Sequence, residues 1–342
     1  MRWLSLVFLF LLIVATIAGA HLVSTYQKQV FQPLGLERDE ILVVRPGQGF
    51  RQINRELVDR GWVRHPWMVE IHARHQGIAG RLQAGEYEVS ADMTLARLLD
   101  NMARGVVVRH KLTAPEGWTA RQFLEAVQAH PALRPMPEPA DLEAVMAELG
   151  KPDMHPEGWF LPDTYVFSRD TPAIQVLKMA HEALNRQLEQ AWAARVEDHP
   201  LETPYELLIL ASIIEKETGL AEERPQIAGV FTRRLERGMR LQTDPTGIYG
   251  LGPEFEGRLR RIHLQTDTPY NTYTRGGLPP TPIALPGRDS LAAAVQPLEG
   301  RTLYFVATGR PDGSHYFSET LEQHNRAVQR YLATLRERRR NQ

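Results

Sequence analysis

The sequence predicts an α+β protein with a single membrane-spanning helix at its N-terminus. Three observations support this: an apolar run opens the chain, helical and strand periodicities both follow it, and the strands do not alternate regularly with the helices. The chain has 342 residues, of which 43% are apolar and 24% charged. That length and composition are enough for two or three small domains, each with its own core.

The N-terminal segment has no charged residue from Trp3 to Ala20, and its apolar character continues to Val23. As a helix it would be about 27–31 Å long, roughly one bilayer core. Arg2 precedes it, so residues 1–24 are predicted to be a cytoplasmic stub and single-pass anchor, with everything after it outside the cytoplasmic membrane. The alternative is a cleaved signal peptide, because Ala18-Gly19-Ala20 has the pattern of a cleavage site. The single charge and the length of the run favour the anchor, and residues 25–40 read as a linker.

Residues 41–106 predict a small module. Its pattern is a strand at 41–44, a helix from Phe50 to Gly61, a second helix at 67–75, a strand at 85–89 and a capped helix at 94–102. The order strand–helix–helix–strand resembles a LysM-like module, a type that binds cell-wall glycan in other proteins. This resemblance rests on element order.

Residues 107–342 predict a mixed α+β domain. The predicted strands lie at 108–112 and 303–307, with a further element starting at Tyr316. The predicted helices begin at Thr119 and cover 171–196, 204–218, 225–237 and 321–338, with one more helix inside the proline-rich stretch 131–156.

Composition and motifs exclude several kinds of function. The net charge of −1 implies no general attraction to nucleic acid, and the absence of cysteine excludes a disulfide scaffold, a thiolate metal site and a cysteine nucleophile. The zinc-protease, serine-hydrolase, P-loop and dinucleotide-binding motifs are all missing. His72 and His75 form too isolated a pair for a zinc site. We therefore predict no metal and no cofactor, which leaves carboxylate chemistry.

Two glutamates, Glu215 and Glu217, lie in the last turn of the predicted apolar helix 204–218. A helical wheel places Glu215 inside the apolar arc and turns Glu217 about 160° away from it. A carboxyl against apolar surface is desolvated, so its pKa rises and it can act as a general acid near neutral pH. The plainer alternative is solvated charge at a helix end, or a buried glutamate that caps a neighbouring loop.

Several turn-rich strings have a composition suited to sugar recognition, because flat rings stack on sugars and short polar groups bind hydroxyls. Rigid structural turns would explain the same strings equally well, because proline and glycine account for much of their shape. The strings are EGWFLPDTY at 157–165, LQTDPT at 241–246, YNTY at 270–273 and GLPPTPI at 277–283.

Together these strings resemble the endolytic murein transglycosylases, the MltG or YceG-like family. The resemblance covers nearly the whole chain. It is carried by ASIIEKETG at 211–219, ERPQIAGVF at 223–231, GMRLQTDPT at 238–246, YNTY, GLPPTPI, LYFVA at 303–307 and EQHNRAV at 322–328. Arg233, Gly247 and Leu285 depart from the residues usual in the family.

The resemblance implies a lyase that cleaves the β-1,4 bond between N-acetylmuramic acid and N-acetylglucosamine inside nascent glycan strands. It implies Glu215 as the single catalytic acid and base, with cell-wall synthases as candidate partners. Asp163 is expected to be loop structure, and Glu223 to orient the site or pair with Arg224. The expected substrate-positioning residues are Gln242, Asp244, Tyr270, Asn271, Tyr273 and Glu223.

Two alternatives stay open at this point. One is a hydrolytic muramidase that uses Asp244 as a second carboxylate, since ordinary glycosidases use two carboxyls. The other is a non-catalytic peptidoglycan-binding scaffold that gathers cell-wall synthases through its LysM-like part.

Overall fold

The fold is mixed α+β, as predicted from the sequence. The computed structural model describes residues 2–138, 140–252, 255, 257 and 259–340. The chain forms two compact units: Met1–His110 with Val166–Thr171, and Lys111–Tyr165 with Pro172–Gln342. The finer division of the chain at residues 24, 40 and 106 stays a prediction.

Most helices and strands lie where the periodicity of the sequence predicts them. The helices are α1 Arg2–Phe31, α2 Phe50–Asp59, α3 Pro66–His75, α4 Leu95–Arg104, α5 Ala120–Gln128, α6 Leu142–Glu148, α7 Ala173–Ala193, α8 Pro204–Glu217, α9 Arg224–Glu236, α10 Asp244–Leu251, α11 Arg261–Gln265, α12 Arg288–Val295 and α13 Leu321–Arg340. The strands are β1 Glu40–Val44, β2 Gly85–Val89, β3 His110–Thr113, β4 Leu133–Arg134, β5 Thr164–Phe167, β6 Thr171–Pro172, β7 Tyr304–Ala307 and β8 His315–Ser318. Of these elements, α10, α11, α12, β4, β5 and β6 were not predicted.

Helix α1 is long and apolar enough to cross a membrane, and none of its most apolar window is buried in the protein. The helix differs from the sequence prediction at its end, because residues 25–31, predicted to be linker, continue it to Phe31. Val30 is fully buried, and the last turns of α1 pack against α3 and α4. This packing explains why the chain stays helical after its apolar run has ended.

The first unit contains the predicted strand–helix–helix–strand order. Strand β1 pairs antiparallel with β2, with Leu42 opposite Tyr87, and α2 and α3 lie between them in sequence. Thr94 caps α4 by accepting a hydrogen bond from the Arg97 amide, and Gly105 ends that helix in the left-handed conformation. This order agrees with the prediction, while the likeness to LysM modules stays a proposal.

Helix α8 is the centre of the second unit. It starts with a capping box between Thr203 and Glu206 and with Pro204 in its first turn. Every residue from Leu207 to Ile214 is buried, because α7, α9, α10 and α12 all pack against α8. Its last turn, which carries Glu215 and Glu217, is therefore surrounded by protein on more than one side.

The burial of α8 predicts that Leu210→Ala lowers the free energy of unfolding of this unit by about 2–5 kcal/mol, because it leaves a cavity in the core. Leu210 is fully buried, whereas Leu298 is 51% exposed, so Leu298→Ala is the matched control. Urea denaturation of both variants measures the difference. Equal losses at the two positions would contradict the central position of α8.

Candidate active site

The two glutamates at the end of α8 face different surroundings. The Glu215 side chain is 5% exposed, in agreement with the helical wheel. The prediction that Glu217 points away from the interior is wrong: the residue is half-buried and its carboxyl is enclosed by protein. The wheel assumes that one side of the helix meets solvent, and α8 has no such side between Leu207 and Ile214.

The Glu215 carboxyl is held by hydrogen-bond donors rather than by apolar surface. Its Oε2 accepts hydrogen bonds from the Gly287 amide at 2.9 Å and from the Ser290 hydroxyl at 2.7 Å, both at the start of α12. Its Oε1 lies 3.5 Å from Nη2 of Arg224 on α9. Both oxygens are therefore engaged, and the carboxylate joins α8 to α9 and α12.

Arg224 is shared by three carboxylates. Besides Glu215, it contacts Glu116 and Asp289, each at 3.3 Å. The Arg224 side chain is 8% exposed, whereas those of Glu116 and Asp289 are 46% and 71% exposed. Burial and the neighbouring Glu215 charge raise the pKa of Glu116, against the opposing effect of Arg224. Sequence reasoning missed Glu116, because it lies in a turn 108 residues before Arg224.

The Glu217 carboxyl has the properties expected of a general acid near neutral pH. Burial raises its pKa to about 7, and the charge of Asp244 acts in the same direction. A hydrogen bond from the Thr243 hydroxyl and the charge of Arg234 act against this rise. This is the electrostatic environment that the sequence analysis expected for Glu215. It is found two residues further along the same helix.

The loop at 242–246 carries two of the predicted substrate residues to the Glu217 side of α8. Gln242 is exposed and has a φ of 51°, a left-handed conformation that few residues other than glycine adopt. Thr272 fixes the loop, because its hydroxyl accepts from the Thr243 amide at 3.0 Å and lies 2.9 Å from the Thr246 hydroxyl. Asp244, at the start of α10, is exposed and accepts a hydrogen bond from the Tyr273 hydroxyl at 2.6 Å.

Two other predicted substrate residues act as braces within the protein. Asn271 is 2% exposed, and its amide donates to the carbonyls of Leu264 and Thr266 at 3.1 and 2.7 Å. The Tyr270 hydroxyl lies 2.9 Å from that of Thr281. Gln242, Asp244 and Tyr273 are thus the predicted substrate residues that gather beside Glu217, while Tyr270 and Asn271 support the loop that carries Tyr273.

Glu223 pairs with His315 and not with Arg224. Its two carboxylate oxygens meet the His315 amide at 2.9 Å and the His315 Nδ1 at 2.7 Å, which fastens the turn before α9 to strand β8. Asp163 makes an ion pair with Arg288 at 2.7 Å, consistent with its expected role in loop structure.

Glu157 is a second buried carboxyl that sequence reasoning missed. Burial raises its pKa to about 7, although the Ala120 amide and the Tyr249 hydroxyl donate to it at 2.8 and 3.1 Å. It lies in the turn-rich string 157–165, where glutamate reads as a polar loop residue. It connects the start of α5 to α10, the helix that begins at Asp244.

The three residues that depart from the family pattern each make contacts within the protein. Arg233 donates to the backbone carbonyls of Leu298 and Thr302 at 2.8 Å each. Leu285 is fully buried, and its backbone pairs with Gly117 and Trp118. Gly247 is buried in α10.

Among the described residues, no group of three or more histidine, aspartate or glutamate side chains is arranged to hold a metal ion. One cavity of about 220 Å³ lies between α7 and α12 and is lined by Gln187, Gln190 and Arg288 among others. Neither Glu215 nor Glu217 lines it.

Comparison with known proteins gives a consistent family. The model of the YceG-like family matches residues 42–330. An endolytic murein transglycosylase of Bacillus subtilis strain 168 is 30% identical over 343 residues, covering 94% of this chain and 92% of that protein. One from Streptococcus pneumoniae serotype 2 strain D39 is 27% identical, and the chain spans 57% of its length. A crystal structure of a yceG-like protein from Listeria monocytogenes has a TM-score of 0.53 at 31% identity, covering 85% of this chain and 99% of that one.

The Glu217 environment predicts a pH-dependent loss of stability. Because the folded-state pKa is raised from 4.5 to about 7, this group's contribution is fully present below pH 4.5 and is lost as the pH rises through about 7. The loss is roughly 3 kcal/mol. The stability difference between wild type and Glu217→Gln should therefore shift toward the variant between pH 4.5 and 8, as measured by urea denaturation. Glu189→Gln, at an exposed position on α7, controls for the lost charge, and an unchanged difference would contradict the prediction.

Proposed function

The chain belongs to the YceG-like family, and we propose that it cleaves the β-1,4 bond between N-acetylmuramic acid and N-acetylglucosamine inside nascent peptidoglycan strands. The curated relatives are endolytic murein transglycosylases, and this chain is an enzyme of that lyase class. Its substrate is peptidoglycan. The position of the cut within the strand and the chemistry of the bond belong to the proposal.

The reaction needs one carboxyl group with a proton near neutral pH. That group donates its proton to the bridging oxygen, which leaves as the 4-hydroxyl of N-acetylglucosamine as the C1–O bond breaks. The C6 hydroxyl of the same muramic residue then bonds to C1, and its proton passes to the carboxylate. The products are a 1,6-anhydro end and a regenerated acid, and no water is consumed.

Glu215 and Glu217 compete for this role, and the geometry favours Glu217. Burial holds the pKa of Glu217 at about 7, where it can both give and take a proton at neutral pH. Both oxygens of Glu215 accept hydrogen bonds from Gly287, Ser290 and Arg224. A carboxylate held in this way is suited to positioning α9 and α12 around the acid. The burial of Glu217 beside Asp244 is the observation on which this proposal rests.

Exposed polar groups beside Glu217 supply a surface for the sugar. Gln242 and Asp244 are exposed, and the Tyr273 ring is tied to Asp244 through its hydroxyl. A carboxylate at Asp244 also stabilises the positive charge that develops on the sugar ring during bond cleavage. Asp244 lies near Glu217, and two neighbouring carboxyls could also activate a water, as the hydrolytic alternative requires.

Helix α1 supports a proposal about the location in the cell. One helix is long and apolar enough to span a membrane, and Arg2 before it favours an N-terminus in the cytoplasm. We propose a single-pass anchor in the cytoplasmic membrane with the catalytic part outside, where nascent strands are made. We propose cell-wall synthases as partners of this protein, because they release their product at the same membrane surface.

Paired variants test which carboxyl is the acid. Glu217→Gln should lower kcat by about 10²–10⁴-fold or more while the protein stays folded, because a buried amide cannot transfer the proton. Glu215→Gln removes one of the three carboxylates that Arg224 faces, so it should lower stability and reduce kcat much less. Release of fragments from purified glycan strands and circular dichroism give the two readouts. A deeper loss of activity at position 215 would return the acid to Glu215.

Product mass distinguishes the reaction from its alternatives. Digests made with the full chain in detergent should contain fragments with 1,6-anhydro ends, which are one water lighter than reducing ends. Reducing ends that disappear in Asp244→Asn would identify a hydrolytic muramidase instead. Binding of strands without release of any fragment would identify a scaffold.

A further inference from the structure

Helix α1 continues beyond the apolar run that can cross a membrane. The large apolar side chains from Trp3 to Val23 are exposed, and from Tyr26 onward the same helix packs against the rest of its unit. At 1.5 Å per residue, Tyr26 lies about 4.5 Å beyond Val23, and Phe31 about 12 Å beyond it. The headgroup layer extends roughly 5–8 Å past the hydrocarbon core on each side. The packed part of α1 thus begins at the depth of the headgroups.

The joint between α1 and α3 is specific. The Tyr26 hydroxyl bonds to Nδ1 of His72 at 2.8 Å, and the Phe31 ring meets the His72 ring edge-on with centroids 5.7 Å apart. The Gln29 side chain accepts from the backbone amides of Arg64 and His65 at 3.1 and 3.3 Å. Burial lowers the pKa of His72, so a neutral ring can accept a hydrogen bond from the Tyr26 hydroxyl. These contacts fix α3 beside the end of α1, at the same depth.

The outer face of α3 carries two large apolar side chains beside the ion pair of Arg74 with Glu70. Trp67 and Ile71, one helical turn apart, are 47% and 54% exposed, while Met68, Val69, His72 and Ala73 face the core. Arg74 is exposed at the end of this face. Tryptophan is enriched at the membrane–water interface, and arginine there reaches the headgroups.

We propose that the face of α3 formed by Trp67 and Ile71 lies in the headgroup region of the bilayer that α1 crosses, so that this unit is seated on the membrane. The occupant of the face is phospholipid, because the contacts of Tyr26 and Gln29 hold α3 next to the point where the apolar run of α1 ends. The inference rests on the proposed anchor and is independent of the reaction. A second copy of the chain or another protein would cover the same face without lipid contact.

Site-directed spin labelling tests this directly, because the chain has no cysteine and one introduced cysteine is a unique label. The full chain carrying Ile71→Cys is labelled with a nitroxide and placed in phospholipid nanodiscs. Collision rates with oxygen, which concentrates in lipid, are compared with those of a water-soluble nickel complex. Ile13→Cys, within α1, reports lipid, and Arg51→Cys, at an exposed position on α2, reports water.

The oxygen-to-nickel ratio at position 71 should lie several-fold above that at position 51 and approach that at position 13. A ratio equal to that at position 51 would overturn the proposal, and so would a label excluded from both reagents, which indicates cover by protein. A water-like ratio at position 13 would overturn the anchor together with this inference. Fragment release by the same samples keeps the reaction a separate question.

Discussion

The arrangement of the candidate site depends on the burial of α8 in the second unit. Four helices pack against it, so both carboxyls in its last turn face protein on opposite sides. On one side Glu215 pairs with Arg224 and accepts hydrogen bonds from the start of α12. On the other side the Glu217 carboxyl accepts a hydrogen bond from the Thr243 hydroxyl and lies beside the charge of Asp244. Two identical side chains, two residues apart, thereby acquire different surroundings.

The sequence predicted most of the fold because its signals are local. Thr203 and Pro204 mark the start of α8, Thr94 that of α4, and periodicity places β1, β2 and β7 within a few residues of their bounds. The extension of α1 to Phe31 was missed because it depends on packing against His72, more than forty residues away. The short strand β5 has no period long enough to stand out.

The sequence analysis placed the candidate site at the end of α8 but assigned burial to Glu215 and solvent to Glu217. A helical wheel ranks faces by the apolarity of one helix alone, and in α8 the face it left for solvent is occupied by the loop at 242–246. Likewise, the rare strings 241–246 and 270–273 were expected to touch substrate as a group. The contacts divide them, because Asn271 holds backbone carbonyls while Gln242 and Asp244 remain exposed. Glu116 and Arg224 meet across more than a hundred residues, which no local pattern reveals.

The continuity of α1 also sets how the first unit is oriented. A flexible tether would let an anchored unit turn freely about its attachment point. Here a single helix, α1, contains both the apolar run and the segment that packs into the unit, where Val30 is fully buried. One residue added or removed between Val23 and Tyr26 would swing the unit by about 100° around the helix axis. The number of residues between the apolar run and the packed end of α1 therefore determines the rotation of the first unit about the helix axis.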